Sequence, residues 1–73
     1  MKRYRTFDLE DKPRGIIEFR LDDEDKKIFK KLRDIGFKIN RHTSKLIWWN
    51  DDYVEIVNKK NEHTIGYLEM CYN

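Results

Sequence analysis

Residues 22–36 read Asp-Asp-Glu-Asp-Lys-Lys-Ile-Phe-Lys-Lys-Leu-Arg-Asp-Ile-Gly, and no other segment of this chain has so clear a helical period. Apolar residues recur there at helical spacing, opposite a row of Lys and Arg residues. This apolar stripe comprises Leu21, Ile28, Phe29, Leu32 and Ile35. The pattern predicts an amphipathic helix over about residues 23–35, with the stripe packed against the rest of the chain.

Both ends of the predicted helix carry boundary signals. Asp22 is the expected N-cap, and further acidic residues follow it in the first turn, where the helix dipole favours negative charge. Gly36 stands where a left-handed C-cap residue belongs, and Phe37 is the apolar residue expected to fold back over the last turn. The sequence therefore predicts a helix with defined ends.

The segment before the helix predicts a β-hairpin. After a frayed start at residues 1–3, residues 5–10 alternate in polarity, residues 11–15 carry turn signals around Pro13, and residues 15–21 alternate again. The apolar residues expected to share a core-facing side are Phe7 and Leu9 in the first strand and Ile17, Phe19 and Leu21 in the second.

The segment after the helix predicts an antiparallel meander. Residues 37–40 and 46–49 are expected to form a hairpin with its turn at 41–45, and 46–49 is apolar on both faces, as in a central strand. Residues 53–57 fit a strand or a short helix, and the β-branched residues favour the strand. Residues 64–72 predict the last strand. The expected fold for residues 1–73 is one small α+β domain: an N-terminal β-hairpin and one amphipathic helix packed on an antiparallel β-meander.

Composition excludes several kinds of protein. The 73 residues include 41% charged residues but carry a net charge of only +2, which argues against a partner held by the charge of the whole molecule. The single cysteine, Cys71, excludes an internal disulfide, and His42 and His63 stand far apart with no metal-ligand spacing. We therefore expect no metal and no cofactor.

The same composition gives weaker indications of location and origin. The longest apolar run is residues 46–49, far short of a membrane span, so we expect no membrane association and a cytoplasmic protein. The chain has no Ala and no Gln but many Lys, Ile and Asn residues, which suggests an AT-rich genome such as that of a phage or mobile element.

One short segment could support catalysis. Arg41, His42 and Lys45 lie within five residues at the tip of the predicted 37–49 hairpin, and a histidine between cations could hold a phosphate and transfer a proton, as in a metal-independent ribonuclease. The simpler interpretation is a solvated histidine on a polar turn. The chain has no phosphate-binding loop or nucleophile elbow, so we expect a protein that is not an enzyme.

The same hairpin could bind single-stranded nucleic acid. Such binding needs cations for phosphates and exposed aromatic rings for bases. The candidate residues are Lys38, Arg41, His42, Lys45 and Trp49.

The third hypothesis comes from the two faces of the predicted sheet. Neighbouring residues in a strand point to opposite faces, so Trp48 is expected in the core, and Trp49 on the other face. One helix covers only one face. Either the sheet curls so that the second face is closed, or the N-terminal hairpin covers this face, or the face contacts another molecule. In the last case the candidate interface residues are Ile47, Trp49 and Tyr53.

Taken together, the patterns favour a small non-catalytic protein that docks on a protein partner or on a second copy of itself, such as a regulator or inhibitor from a phage or mobile element. The alternatives are a single-stranded nucleic-acid-binding module that uses residues 37–49 and, less favoured, a small ribonuclease that uses His42.

Overall fold

A computed structural model describes residues 1–72 of the chain. The element order is β1 (Lys2–Asp8), β2 (Pro13–Phe19), α1 (Asp25–Asp34), β3 (Ser44–Asn50), β4 (Tyr53–Asn58) and β5 (Thr64–Met70). This arrangement confirms the predicted α+β class, the N-terminal hairpin, the helix and the antiparallel meander. The segment that also fitted a short helix is strand β4.

The five strands form a single antiparallel sheet in the order β2-β1-β5-β4-β3. The chain leaves the sheet at one edge, β2, forms α1, and returns at the opposite edge as β3. Strand β5 then pairs with both β4 and β1 and becomes the central strand. The expectation that residues 46–49 lie in a central strand is wrong, because β3 is an edge strand.

The helix ends as predicted but begins later. Gly36 has φ +87°, its N–H donates to Arg33 O at 2.9 Å, and the N–H of Phe37 donates to Leu32 O at 3.0 Å. This is a Schellman motif, and the ring of Phe37 is buried over the last turn. At the other end Glu24 occupies the N-cap position without a side-chain hydrogen bond, so the prediction of Asp22 as the N-cap is wrong.

The core lies between α1 and one face of the sheet. Ile28, Phe29 and Leu32 of the helix are buried as predicted, while Ile35 is half-buried at the edge of the core. The sheet contributes Tyr4, Ile17, Phe19, Val54, Ile56 and Leu68. The rings of Tyr4 and Phe19 stack at 4.4 Å, and Trp48 packs edge-on against Phe19 with ring centroids 5.8 Å apart.

The first strand begins earlier than predicted and turns its other side to the core. Lys2 and Arg3 belong to β1, and the buried residues of that strand are Tyr4 and Thr6, not Phe7. Thr6 can be buried in the core because its hydroxyl donates a hydrogen bond to Gly15 O at 3.0 Å. Leu9 and Leu21, which we expected to face the core, lie in turns and are exposed.

The segment between α1 and β3 is a loop. Residues 37–40 form no strand, so the predicted 37–49 hairpin is wrong. Phe37 cannot use its N–H in a β-ladder, because the helix cap already uses it. Cys71 is a half-buried free thiol just after β5, and no helix in residues 1–72 is long and apolar enough to span a membrane.

Candidate functional site: the open face of the sheet

The face of the sheet opposite α1 has no second layer within residues 1–72, because all five strands lie in one sheet and the single helix packs on the other side. We call it the open face. Its residues follow from the strand register: Phe7 pairs with Tyr67, Tyr67 with Glu55, and Glu55 with Ile47. The next row pairs Ile16 with Arg5, Arg5 with Glu69, and Glu69 with Tyr53.

Three aromatic rings from neighbouring strands stand side by side at the centre of the open face. Phe7 and Tyr67 stack with ring centroids 4.9 Å apart and planes 17° apart, and Tyr53 lies 5.4 Å from Tyr67 on its other side, tilted by 30°. These distances are close to the ~4.8 Å spacing of strands, as expected for side chains that lie side by side on neighbouring strands. The Tyr67 ring thus has an aromatic neighbour on each adjacent strand.

Trp49 extends this aromatic group to the edge strand β3. The register between β3 and β4 shifts at Trp49, which is the extra residue of a β-bulge. Bulges at sheet edges re-aim side chains. Here the indole is 64% exposed, and its Nε1–H donates to Glu55 Oε1 at 3.0 Å, which holds the ring over the open face. The predicted division of the two tryptophans is confirmed, with Trp48 packed against the core and Trp49 on the other side.

Carboxylates lie near the aromatic rings. The hydroxyl of Tyr67 donates to Asp11 Oδ1 at 2.9 Å, and this hydrogen bond raises the pKa of Tyr67 above its usual value. Burial raises the pKa of Tyr53, and the nearby carboxylates of Glu55, Asp11 and Glu69 raise it further. The aromatic centre of the open face is therefore bordered by the carboxylates of Asp11, Glu55 and Glu69.

Two opposite charges on the open face are left without an ion pair within residues 1–72. Arg5 and Glu69 face each other in the ladder between β1 and β5, and both are exposed, but no ion pair joins either side chain to another residue. Their neighbour Arg3 is paired with Glu18 at 3.3 Å. Arg5 and Glu69 are consequently available to charges on another molecule.

The structure divides the five residues predicted to bind nucleic acid among three places. Arg41, His42 and Lys45 line one shallow cleft on the helix side, together with Lys26 and Lys59. Lys38 lies elsewhere, in a groove with Phe37 and residues of the β1–β2 turn. Trp49 is on the open face near the far end of β3. The three residues in the cleft share a surface, and the other two do not join them.

The charge of this cleft is partly compensated. Lys45 Nζ lies 3.0 Å from Glu62 Oε1, Lys26 Nζ lies 3.3 Å from Glu24 Oε2, and Asp25 lines the same cleft. The backbone N–H of His42 donates to Asn40 Oδ1 at 2.8 Å, which fixes the turn but leaves the imidazole in an exposed loop. Chemically the cleft can hold an anion by charge.

The sequence pattern predicted Ile47, Trp49 and Tyr53 as candidate interface residues, and all three lie on the open face. It did not identify Phe7, Tyr67 or Asp11 as part of the same surface. The alternation of residues along β5 places Tyr67 on the face opposite to that of Leu68, and this pattern could have identified Tyr67 as part of the open face. Strand order was also needed, because only the pairing of β5 with β1 brings Phe7 to Tyr67.

Within residues 1–72, no group of three or more His, Cys, Asp or Glu side chains is placed to hold a metal ion. Comparison of the chain with protein-family models, curated proteins and solved structures gives no significant match.

Proposed function

We propose that this protein is a non-catalytic binding protein that docks on a protein partner through the open face of its sheet. The observation that supports this most strongly is the group of aromatic residues Phe7, Tyr67, Tyr53 and Trp49 on a sheet face that has no covering layer within the described residues. Aromatic residues dominate the energy of protein interfaces because each buries a large area at low entropic cost. A regulator or inhibitor, such as one from a phage or mobile element, is the kind of protein we propose.

The orientation of the rings favours a protein over a nucleic acid as the occupant of this face. Base stacking requires a free ring face, and the central ring, Tyr67, has Phe7 and Tyr53 as close ring neighbours. Aromatic rings with neighbouring carboxylates suit apolar side chains and cationic groups of a protein.

Photo-cross-linking from the open face tests this proposal. A benzophenone amino acid at position 47 would be incorporated in the full chain, expressed in native host cells, and irradiated; a matched control chain carries it at position 30, on the exposed side of α1. After nuclease digestion we expect a protein adduct from position 47 and none from position 30. Adducts from position 30 alone, or adducts from position 47 that nuclease removes, would contradict the proposal.

A second candidate function, binding of single-stranded nucleic acid, is favoured by one observation. Cations from separate parts of the chain, Lys26, Arg41, Lys45 and Lys59, line the cleft beside His42. If this cleft binds phosphates, Arg41→Ala and Lys45→Ala would each weaken oligonucleotide binding and reduce its dependence on salt. Fluorescence anisotropy with labelled single-stranded DNA and RNA at low salt measures this, with Lys38→Ala as the control from outside the cleft.

A further inference from the structure

We infer that the occupant of the open face is a second copy of this chain, so that two sheets pack face to face in a two-fold dimer. The inference rests on the proposed use of this face as a protein interface, and it names the partner. Two-fold dimers are the commonest assemblies of soluble proteins, and they require one surface patch that is complementary to itself. The open face meets that requirement.

The strand order creates the self-complementarity. Strand β5 is central, with β1 and β4 on either side of it and β2 and β3 at the edges. A two-fold axis that runs along β5 between the two sheets places β1 over the partner's β4 and β2 over the partner's β3. Sheets packed in this aligned manner cross at about 30°, so residues near β5 keep this correspondence best.

Chemically unlike or mutually apolar groups meet in this arrangement. Arg5 on β1 comes over Tyr53 on β4 of the second copy, because both belong to the row that contains Glu69, and Glu69 of the second copy lies on the adjacent strand. Ile16 on β2, which is 45% exposed, comes over β3 of the second copy, which carries Ile47 and the 64% exposed Trp49. The unpaired guanidinium thus meets carboxylate and aromatic groups, and the apolar edges cover each other.

Like charges also approach in this dimer. Glu69 lies on the axis strand, so the two copies of its carboxylate come close together. Arg5 of each protomer is adjacent to this pair, opposite Glu69 in its own ladder. Two carboxylates flanked by two guanidinium groups would therefore form the centre of the interface, and changing the sign of either residue should break it.

The size of the open face fits a small dimer interface. Five strands spaced ~4.8 Å apart and about seven residues long give a face of roughly 24 by 23 Å. Its projected area of roughly 550 Å² is comparable with the ~600 Å² per partner at the lower end of stable interfaces. A domain of 73 residues also buries only about 60% of its unfolded surface, so self-association would supply stability that its own core does not.

Sedimentation velocity of the purified full chain tests the inference, with charge reversal on the open face. We expect wild-type protein at about 10–100 μM to sediment at twice the 9.1 kDa mass of the protomer. Arg5→Glu makes all four central charges negative and Glu69→Arg makes them all positive, so each variant alone should dimerise at least tenfold more weakly. An equimolar mixture of the two variants should dimerise again, because opposite charges then face each other.

The controls separate interface effects from folding. Arg41→Glu makes the same change of charge on the helix side and should leave the dimer intact. Trp49→Lys changes an exposed residue of the open face and should abolish the dimer. This second variant keeps the test valid if a charge variant folds poorly. A wild type that remains monomeric at 100 μM, or a mixture that fails to restore the dimer, would overturn the inference. If position 47 then still cross-links to a different protein, the proposed function survives and only the identity of the partner changes.

Discussion

The rings of Phe7 and Tyr67 stack 4.9 Å apart on neighbouring strands, and the stack determines what the open face can bind. The two rings pack face to face, and the ring of Tyr53 lies beside Tyr67 on the strand at its other side. At Tyr67 a ligand therefore meets a ring that already has two aromatic neighbours, with its hydroxyl group bonded to the carboxylate of Asp11. Side chains of a protein can pack into such a surface more readily than nucleic-acid bases can stack on it.

The ring geometry predicts that single-stranded oligonucleotides do not bind the open face. Adding DNA or RNA oligomers at low salt should leave the fluorescence of Trp49 unchanged in a Trp48→Phe variant, whether or not the cleft near Arg41 binds them. If Tyr53 stacked on a base, Tyr53→Ala would cost roughly 1–3 kcal/mol of binding. Quenching of Trp49 together with such a loss would contradict this prediction.

The packing of the helix predicts a large cost for truncating Leu32. This side chain has no exposed surface, so Leu32→Ala should lower the free energy of unfolding by roughly 2–5 kcal/mol. Leu9→Ala is the matched control, because Leu9 is 68% exposed in a turn and its truncation should change stability by less than about 0.5 kcal/mol. Urea unfolding followed by circular dichroism measures both variants. Equal midpoints would show that the helix does not pack as described.

The sequence predicted the elements formed by local patterns. The period of residues 22–36 and the Gly36–Phe37 pair gave the helix and its C-cap, and alternation gave most of the strands. It placed Trp48 and Trp49 on opposite sides of β3 for the same reason.

The errors have identifiable physical causes. Tyr4 and Thr6 looked less apolar than Phe7 and Leu9, so β1 was assigned one residue out of phase, which reverses the faces of a strand. The polarity of residues 37–40 alternates as in a strand, but Phe37 lies in a loop and its side chain is buried in the core. The central position of β5 depends on pairing with β1, more than 50 residues earlier in the chain, and no local pattern encodes that contact.

The close packing of β5 predicts that Gly66→Ala is strongly destabilising. A Cβ atom at Gly66 would overlap the backbone carbonyl of Phe7 and would lie 2.7 Å from Cζ of Phe37. We expect a loss of about 1–3 kcal/mol or more, because a backbone atom cannot move aside as a flexible side chain can. At Gly36 a Cβ atom meets nothing within 4 Å, so Gly36→Ala carries only the strain of its left-handed backbone, about 1 kcal/mol. Thermal melts that rank Gly36→Ala as the worse variant would contradict this packing.

The Tyr67–Asp11 hydrogen bond predicts a dependence of stability on alkaline pH. The bond raises the pKa of Tyr67 in the folded state above the ordinary value of 10.0, so its stabilisation is fully present below pH 10 and is lost as the pH rises through the folded-state pKa. Tyr67→Phe should therefore be less stable than wild type near pH 8, by at most about 1 kcal/mol, and the difference should shrink above pH 10. Urea unfolding at several pH values measures it; a difference that stays constant to pH 11 would count against the bond.

The most direct test of the open face as a protein interface is acrylamide quenching of Trp49 in the Trp48→Phe variant. Because the indole is 64% exposed, we expect ready quenching in the dilute monomer and strong protection when the protein self-associates at high concentration or binds the protein captured by cross-linking. The converse variant, Trp49→Phe, reports on half-buried Trp48, which should resist quenching in both states. Equal quenching of Trp49 in the free and the bound protein would contradict the proposed interface.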